Sequence, residues 1–167
     1  TTLTTLGEMF AHCKTFNDPA VTYWNTENIT NMAGTFDRCN AFNQPLYWST
    51  HQVTTMKAMF RNCHVFDQEI NNWNVGQVTD MESMFMGCKV FNQRLSDWDV
   101  SSVTTMTELF RDCKQFNKYI ADWDVSKVDS FEFCFAAATA FNEDISIWNV
   151  KSARWMDYMF ADATSFN

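Results

Sequence analysis

The sequence predicts an α/β solenoid: a stack of about seven coils, each a helix plus a short strand, with the strands forming a parallel sheet. Three observations predict it. Phe10, Phe36, Phe60, Phe85, Phe110, Phe135 and Phe160 recur at intervals of 26, 24 and then four times 25 residues. A second series, Phe16, Phe42, Phe66, Phe91, Phe116, Phe141 and Phe166, follows six residues behind the first. Trp24, Trp48, Trp73, Trp98, Trp123 and Trp148 make a third. A fixed period of roughly 20 to 50 residues marks stacked repeats, in which each unit buries its apolar face only against its neighbours. Almost every large aromatic is thereby assigned to the core, and function is to be sought on a surface.

The helix is expected in the first half of each repeat. Val53, Met56, Met59, Phe60, Cys63 and Phe66 fall at offsets 0, 3, 6, 7, 10 and 13, which is helical spacing. Thr79 with Glu82, and Asp129 with Glu132, read as capping boxes at its start. The second half, as in residues 70–75 or 95–100, is short and alternates from Trp onward, so it reads as a strand between turns. Strands stack at about 4.8 Å and helices at about 8 to 10 Å, so such an array should bend with its strands inside. The Asn after the second Phe (Asn17, Asn43, Asn92, Asn117, Asn142 and Asn167, with Asp67 once) fits a buried polar ladder that satisfies backbone groups between coils.

One-residue slips occur beside Pro19 and Pro45, which marks a loop that tolerates length change. Residues 1–167 show no linker, low-complexity tract or shift of composition, and read as a single repeat domain. The chain starts inside a repeat at Leu3 and Leu6 and stops at Phe166-Asn167 without a polar cap, so a fragment of a longer array is expected. No stretch reaches the roughly 18 to 20 apolar residues that span a bilayer.

At Val-Thr-x-Met, Phe-x-x-Cys-x-x-Phe-Asn-Gln and Trp-Asp-Val-Ser, the chain resembles the 25-residue repeats of bacterial surface lipoproteins that form a domain family of unknown function. It is also similar to BspA-type leucine-rich repeats, whose Val-Thr-x-Ile and Ala-Phe-x-x-Cys-x-x-Leu segments match in order. The resemblance covers the whole chain. It implies a leucine-rich-repeat-like fold, an extracellular or cell-surface location, and adhesion or ligand binding, with no catalytic motif to carry over. The last two coils depart most, with Ala138 and Ala163 in place of Cys, Phe131 in place of Met, and Ala153 at the Val position.

The chemistry-bearing residues point the same way. Cys13, Cys39, Cys63, Cys88 and Cys113 share one register and are replaced by Ala later, as small apolar plugs would be, and Cys134 takes a core Met or Leu position. His12, His51 and His64 follow no common register, so no metal set forms with them. Thr4, Thr30, Thr54, Thr79 and Thr104 read as helix caps rather than an ice-binding row, because Asp129 substitutes there. The four Gly are scattered, no nucleophile–base set shares neighbouring registers, and no enzyme activity is expected. A net charge of −8 disfavours a nucleic-acid groove, and the column Lys14, Lys89 and Lys114 reads as a solvated face.

Asp97, Asp99, Asp122 and Asp124 flank Trp98 and Trp123 on the side away from the core. They form either an acidic solvated patch or a candidate Ca²⁺ site, since hard cations take such oxygens. No other cofactor is indicated. The varied residues beside the Trp ladder, Tyr23, Tyr47, Asn72, Asp97, Asp122 and Ile147, form the expected strand-face binding row for a protein or surface polymer. The alternative is a structural subunit that stacks end to end into a filament, matrix or shell, because both ends expose the same kind of rung.

Overall fold

A computed structural model describes residues 2–167. Its coils stack in the predicted register but are built from turns. A 3₁₀ turn at Pro19–Val21, with Asp18 accepting from the Ala20 amide, is the one helical element among the described residues. Pairing of strand type is confined to isolated parallel bridges joining Thr5, Asn31, Thr55, Asp80, Thr105, Ser130 and Trp155 in succession. The α/β solenoid of helix-plus-strand coils, and with it the leucine-rich-repeat-like architecture, is therefore overturned. Among the described residues no parallel sheet exists, and no row of helices imposes a wider spacing that would bend the array.

The fourth coil shows why. Met84, Met86, Cys88 and Phe91 each donate an amide to the carbonyl three residues earlier, so the chain runs through consecutive β-turns. The alternate amides, of Met81, Ser83, Phe85 and Gly87, donate instead to Thr105, Thr107, Leu109 and Arg111 of the next coil at 2.7 to 3.3 Å. An α-helix would have used these amides internally. Here every second peptide unit lies along the stack, with its carbonyl toward the preceding coil and its N–H toward the following one. The same four-bond junction recurs from Leu6, Glu8, Phe10 and His12 through to Phe131, Phe133, Phe135 and Ala137.

This path needs a left-handed residue at two points of every coil. Glu8 and His12, Gly34 and Arg38, Ala58 and Asn62, Ser83 and Gly87, Glu108 and Asp112, Phe133 and Ala137, and Tyr158 and Asp162 all have φ between 53° and 73°. Only two are glycine, although an L-residue there costs about 1 to 2 kcal/mol. Ala137→Gly should therefore raise stability by about 0.5 to 1 kcal/mol, read as a higher denaturation midpoint. At Gly87 the substitution runs the other way, since an added Cβ would also stand 2.5 Å from Asn62 Oδ1.

The ladders hold the coils together. Successive rings of the first Phe series stack at 5.5 to 5.9 Å. Those of the second stack at 5.8 to 6.1 Å. Each Trp from Trp48 to Trp148 donates its indole N–H to a carbonyl of the preceding coil: Val21, Leu46, Ile70, Leu95 and Ile120 in turn. The Asn column does bridge coils, each side-chain oxygen accepting the amide of its successor from Asn17 through to Asn167. It is half-buried or exposed rather than buried.

The predicted helix caps have another role. The hydroxyls of Thr30, Thr54, Thr79 and Thr104 donate to the carbonyl of the preceding Thr in the column. One residue further on, Thr5, Asn31, Thr55, Asp80, Thr105 and Ser130 each accept the amide two residues ahead. Those are Asx- and Ser/Thr-type turns, which launch the turn chain instead of a helix. Glu82 and Glu132 provide the amides for two of them and complete no capping box.

All six cysteines are free, five of them buried and Cys13 exposed. Cys39, Cys63, Cys88 and Cys113 donate their thiols to the carbonyls of Phe10, Phe36, Phe60 and Phe85, one coil back. Burial pushes the Cys39 thiol up to about 12 and those of Cys63, Cys88, Cys113 and Cys134 well above the usual thiol range. They remain neutral plugs, unreactive as thiolates.

Candidate binding surface

The row beside the Trp ladder is set by alternation around each buried indole. Trp48, Trp73, Trp98, Trp123 and Trp148 are buried, while Tyr23, Tyr47, Asn72, Asp97, Asp122 and Ile147 before the Trp positions all point to solvent. Because the coils are in register, these side chains form one column. Tyr23 and Tyr47 are 80% and 64% exposed, yet their rings lie 5.4 Å apart, a surface aromatic pair with no core to fill. A hollow of about 350 Å³ lined by Pro45, Tyr47, Gln68, Glu69 and Asn72 continues from that pair.

The acidic residues divide into two kinds. Asp99 and Asp124 follow the Trp and accept the amides of Ser101 and Ser126. Hydrogen bonds from those serines hold both carboxyls below the usual carboxylate range, and on Asp99 the charge of Asp124 opposes this. Asn25, Asn74 and Asn149 make the same turn in other coils, so Asp99 and Asp124 have a backbone task that an amide performs equally well. Asp97 accepts from the buried Asn71 amide at 2.7 Å and from Arg94 at 2.8 Å. Interaction with the Asp122 carboxylate raises the pKa of the exposed Tyr119 phenol. Among the described residues, no group of three or more His, Cys, Asp or Glu side chains is placed to hold a metal ion.

Sequence reading missed Asn71 and Arg94, which fix the Asp97 carboxylate in place. Their signal was available, since each lies one to three residues from a residue in the row. It also missed the pair of Asp37 and Arg61, which occupy one column in adjacent coils. The Arg61 guanidinium meets Asp37 through two bonds of 2.8 and 2.6 Å, and Asp37 is buried.

A family model described as "Mycoplasma protein of unknown function, DUF285" matches residues 4–108 and again 88–167. The chain belongs to the DUF285 family. Its two matches overlap over residues 88–108, as expected where one repeat pattern runs through the whole chain. No curated protein matches the DUF285 chain, and no solved structure does. No helix among its described residues is long and apolar enough to cross a membrane.

Proposed function

We propose that the chain is a non-catalytic recognition or adhesion module of a cell surface, which binds a protein or surface polymer through the row at Tyr23, Tyr47, Asn72, Asp97 and Asp122. One observation carries the reading. Inward positions repeat the same residue types coil after coil, whereas the column before the Trp holds Tyr, Tyr, Asn, Asp, Asp and Ile on the same frame. Frame repetition with outward variation is how repeat proteins acquire specific surfaces. A finer kinship, with bacterial surface lipoproteins and BspA-type repeats, belongs to this proposal and supplies its extracellular setting. Replacing Tyr23, Tyr47, Asn72, Asp97 and Asp122 together by Ser should abolish binding to cell-surface or matrix extracts, with an unfolding temperature close to the parent's. Retained binding by a folded variant would refute the row.

A second reading, end-to-end stacking, has its own support. At the last coil the amides of Met156, Tyr158, Phe160 and Asp162 have no partner among the described residues. At the first, the carbonyls of Thr5, Gly7, Met9 and Ala11 accept no amide of a preceding coil. The two sets have the spacing of an internal junction, so either a second copy or a further coil of a longer chain would pair them. A hollow of about 430 Å³ lined by Trp148, Met159, Phe160 and Phe166 lies beside the donor end. Rods in electron micrographs of concentrated protein, lost on Phe160→Glu, would establish this reading. Their absence would leave recognition alone.

A further inference from the structure

We infer that a second edge of the stack, between the two Phe ladders, binds the sulfate or phosphate groups of a linear anionic polysaccharide, with Lys14, Arg38 and His64 forming its primary notch. The inference does not rest on the Trp-flanking row and concerns a different ligand. The notch encloses about 250 Å³ and is lined by Lys14, Arg38, Asn40, Asn62 and His64.

Its chemistry is that of a donor site. The Asn40 amide nitrogen lies 3.2 Å from the Asn62 carbonyl oxygen and 3.1 Å from His64 Nδ1. A carbonyl oxygen only accepts, so this Asn40 atom is the NH₂ donor, and it therefore also donates to Nδ1. The neutral imidazole is thereby fixed as the tautomer that carries its proton on Nε2, the free nitrogen. Burial first, and then the positive charge of Lys89, lower the His64 pKa, while Asp112 opposes them. His64 thus acts as a neutral N–H donor in a notch that Lys14 and Arg38 also line.

Those cations are available. Lys14 has no carboxylate within 4.0 Å among the described residues. Arg38 reaches Asp37 only at 4.0 Å, and that carboxylate is already held by both arms of Arg61. An ammonium, a guanidinium and an imidazole N–H lining one notch, with no carboxylate among its lining residues, match a tetrahedral oxyanion.

The notch is also the start of a line. Lys14, Asn40, His64, Lys89 and Lys114 occupy one column, and at about 4.8 Å per coil it runs roughly 20 Å. Lys114 is 3.5 Å from Asp112, an exposed pair that a polyanion can displace. Val65 and Val90 are the exposed large apolar residues next to the column, and no aromatic stands there to stack a base. With a net charge of −8 on the chain, a thin polymer that touches only this edge fits better than a nucleic acid.

The test is calorimetry of the full chain with a sulfated heparin oligosaccharide, and with inorganic sulfate while His64 ring resonances are followed by NMR. Lys14→Glu with Arg38→Glu should weaken oligosaccharide binding by about tenfold or more and flatten its salt dependence. Sulfate should shift the His64 resonances in the parent and not in this variant. Lys127→Glu with Lys151→Glu makes the same change in net charge elsewhere and should leave affinity unchanged. Absence of oligosaccharide binding would overturn the inference. So would equal losses in the two charge-reversed pairs, or equally tight binding of a single-stranded oligodeoxynucleotide.

Discussion

Phe85→Ala should lower the unfolding free energy by about 3 to 5 kcal/mol, measured as a shift in the urea midpoint at unchanged slope. Phe85 is fully buried at the crossing of every aromatic ladder. Its ring stacks on Phe60 at 5.9 Å below and Phe110 at 5.6 Å above, and within its own coil it meets Phe91 at 4.3 Å and Trp98 at 6.1 Å. Removing it takes contacts from three coils at once. The coils cannot close over the cavity, because the backbone bonds from Phe85 to Leu109 and from Phe60 to Met84 hold their spacing. Phe160→Ala, at a half-buried rung in the last of the described coils, should cost distinctly less in the chain of residues 1–167. Equal costs at the two positions would mean that stacking between coils is not what stabilises the array.

Arg61→Met should destabilise the protein by about 3 to 5 kcal/mol, although the Arg side chain itself is one-third exposed. The loss arises on the other partner. Asp37 is buried, its carboxylate is satisfied by the two arms of Arg61, and Arg38 approaches only to 4.0 Å from the outside. Without the guanidinium, a buried carboxylate is left unpaired. Asp37→Asn in the Arg61→Met background should recover much of the stability, because it removes the charge that lost its partner. A double variant no more stable than Arg61→Met would place the effect in packing of the Arg stem.

What the sequence by itself determined is the period, the in-register stacking and the inward Phe and Trp rungs, though not the depth of the Asn column, which is half-buried or exposed. A residue that recurs every 25 positions can be buried in all coils only if the coils stack in register, and stacking places Phe on Phe, Trp beneath Trp and Asn above Asn. The outward row at Tyr23, Tyr47, Asn72, Asp97 and Asp122 was legible for the same reason, being whatever varied beside a repeated Trp. The turn role of Asp99 and Asp124 could also have been read, because Asn25, Asn74 and Asn149 share their column.

Only the tertiary structure decided what the backbone does between rungs. Apolar residues three apart satisfy a run of β-turns as well as a helix, and the two differ in where the alternate amides go. Glycine would have marked the left-handed positions, but it occupies only Gly34 and Gly87, with Ala, Ser, Phe, Tyr and charged or polar side chains in the rest. In the first six coils each left-handed residue donates its amide to a carbonyl of the next coil, whereas Tyr158 and Asp162 hold the same φ without such a bond. That partner carbonyl lies 23 to 25 residues along the chain, beyond the reach of any local pattern. Stacking therefore selects the turn chain over the helix.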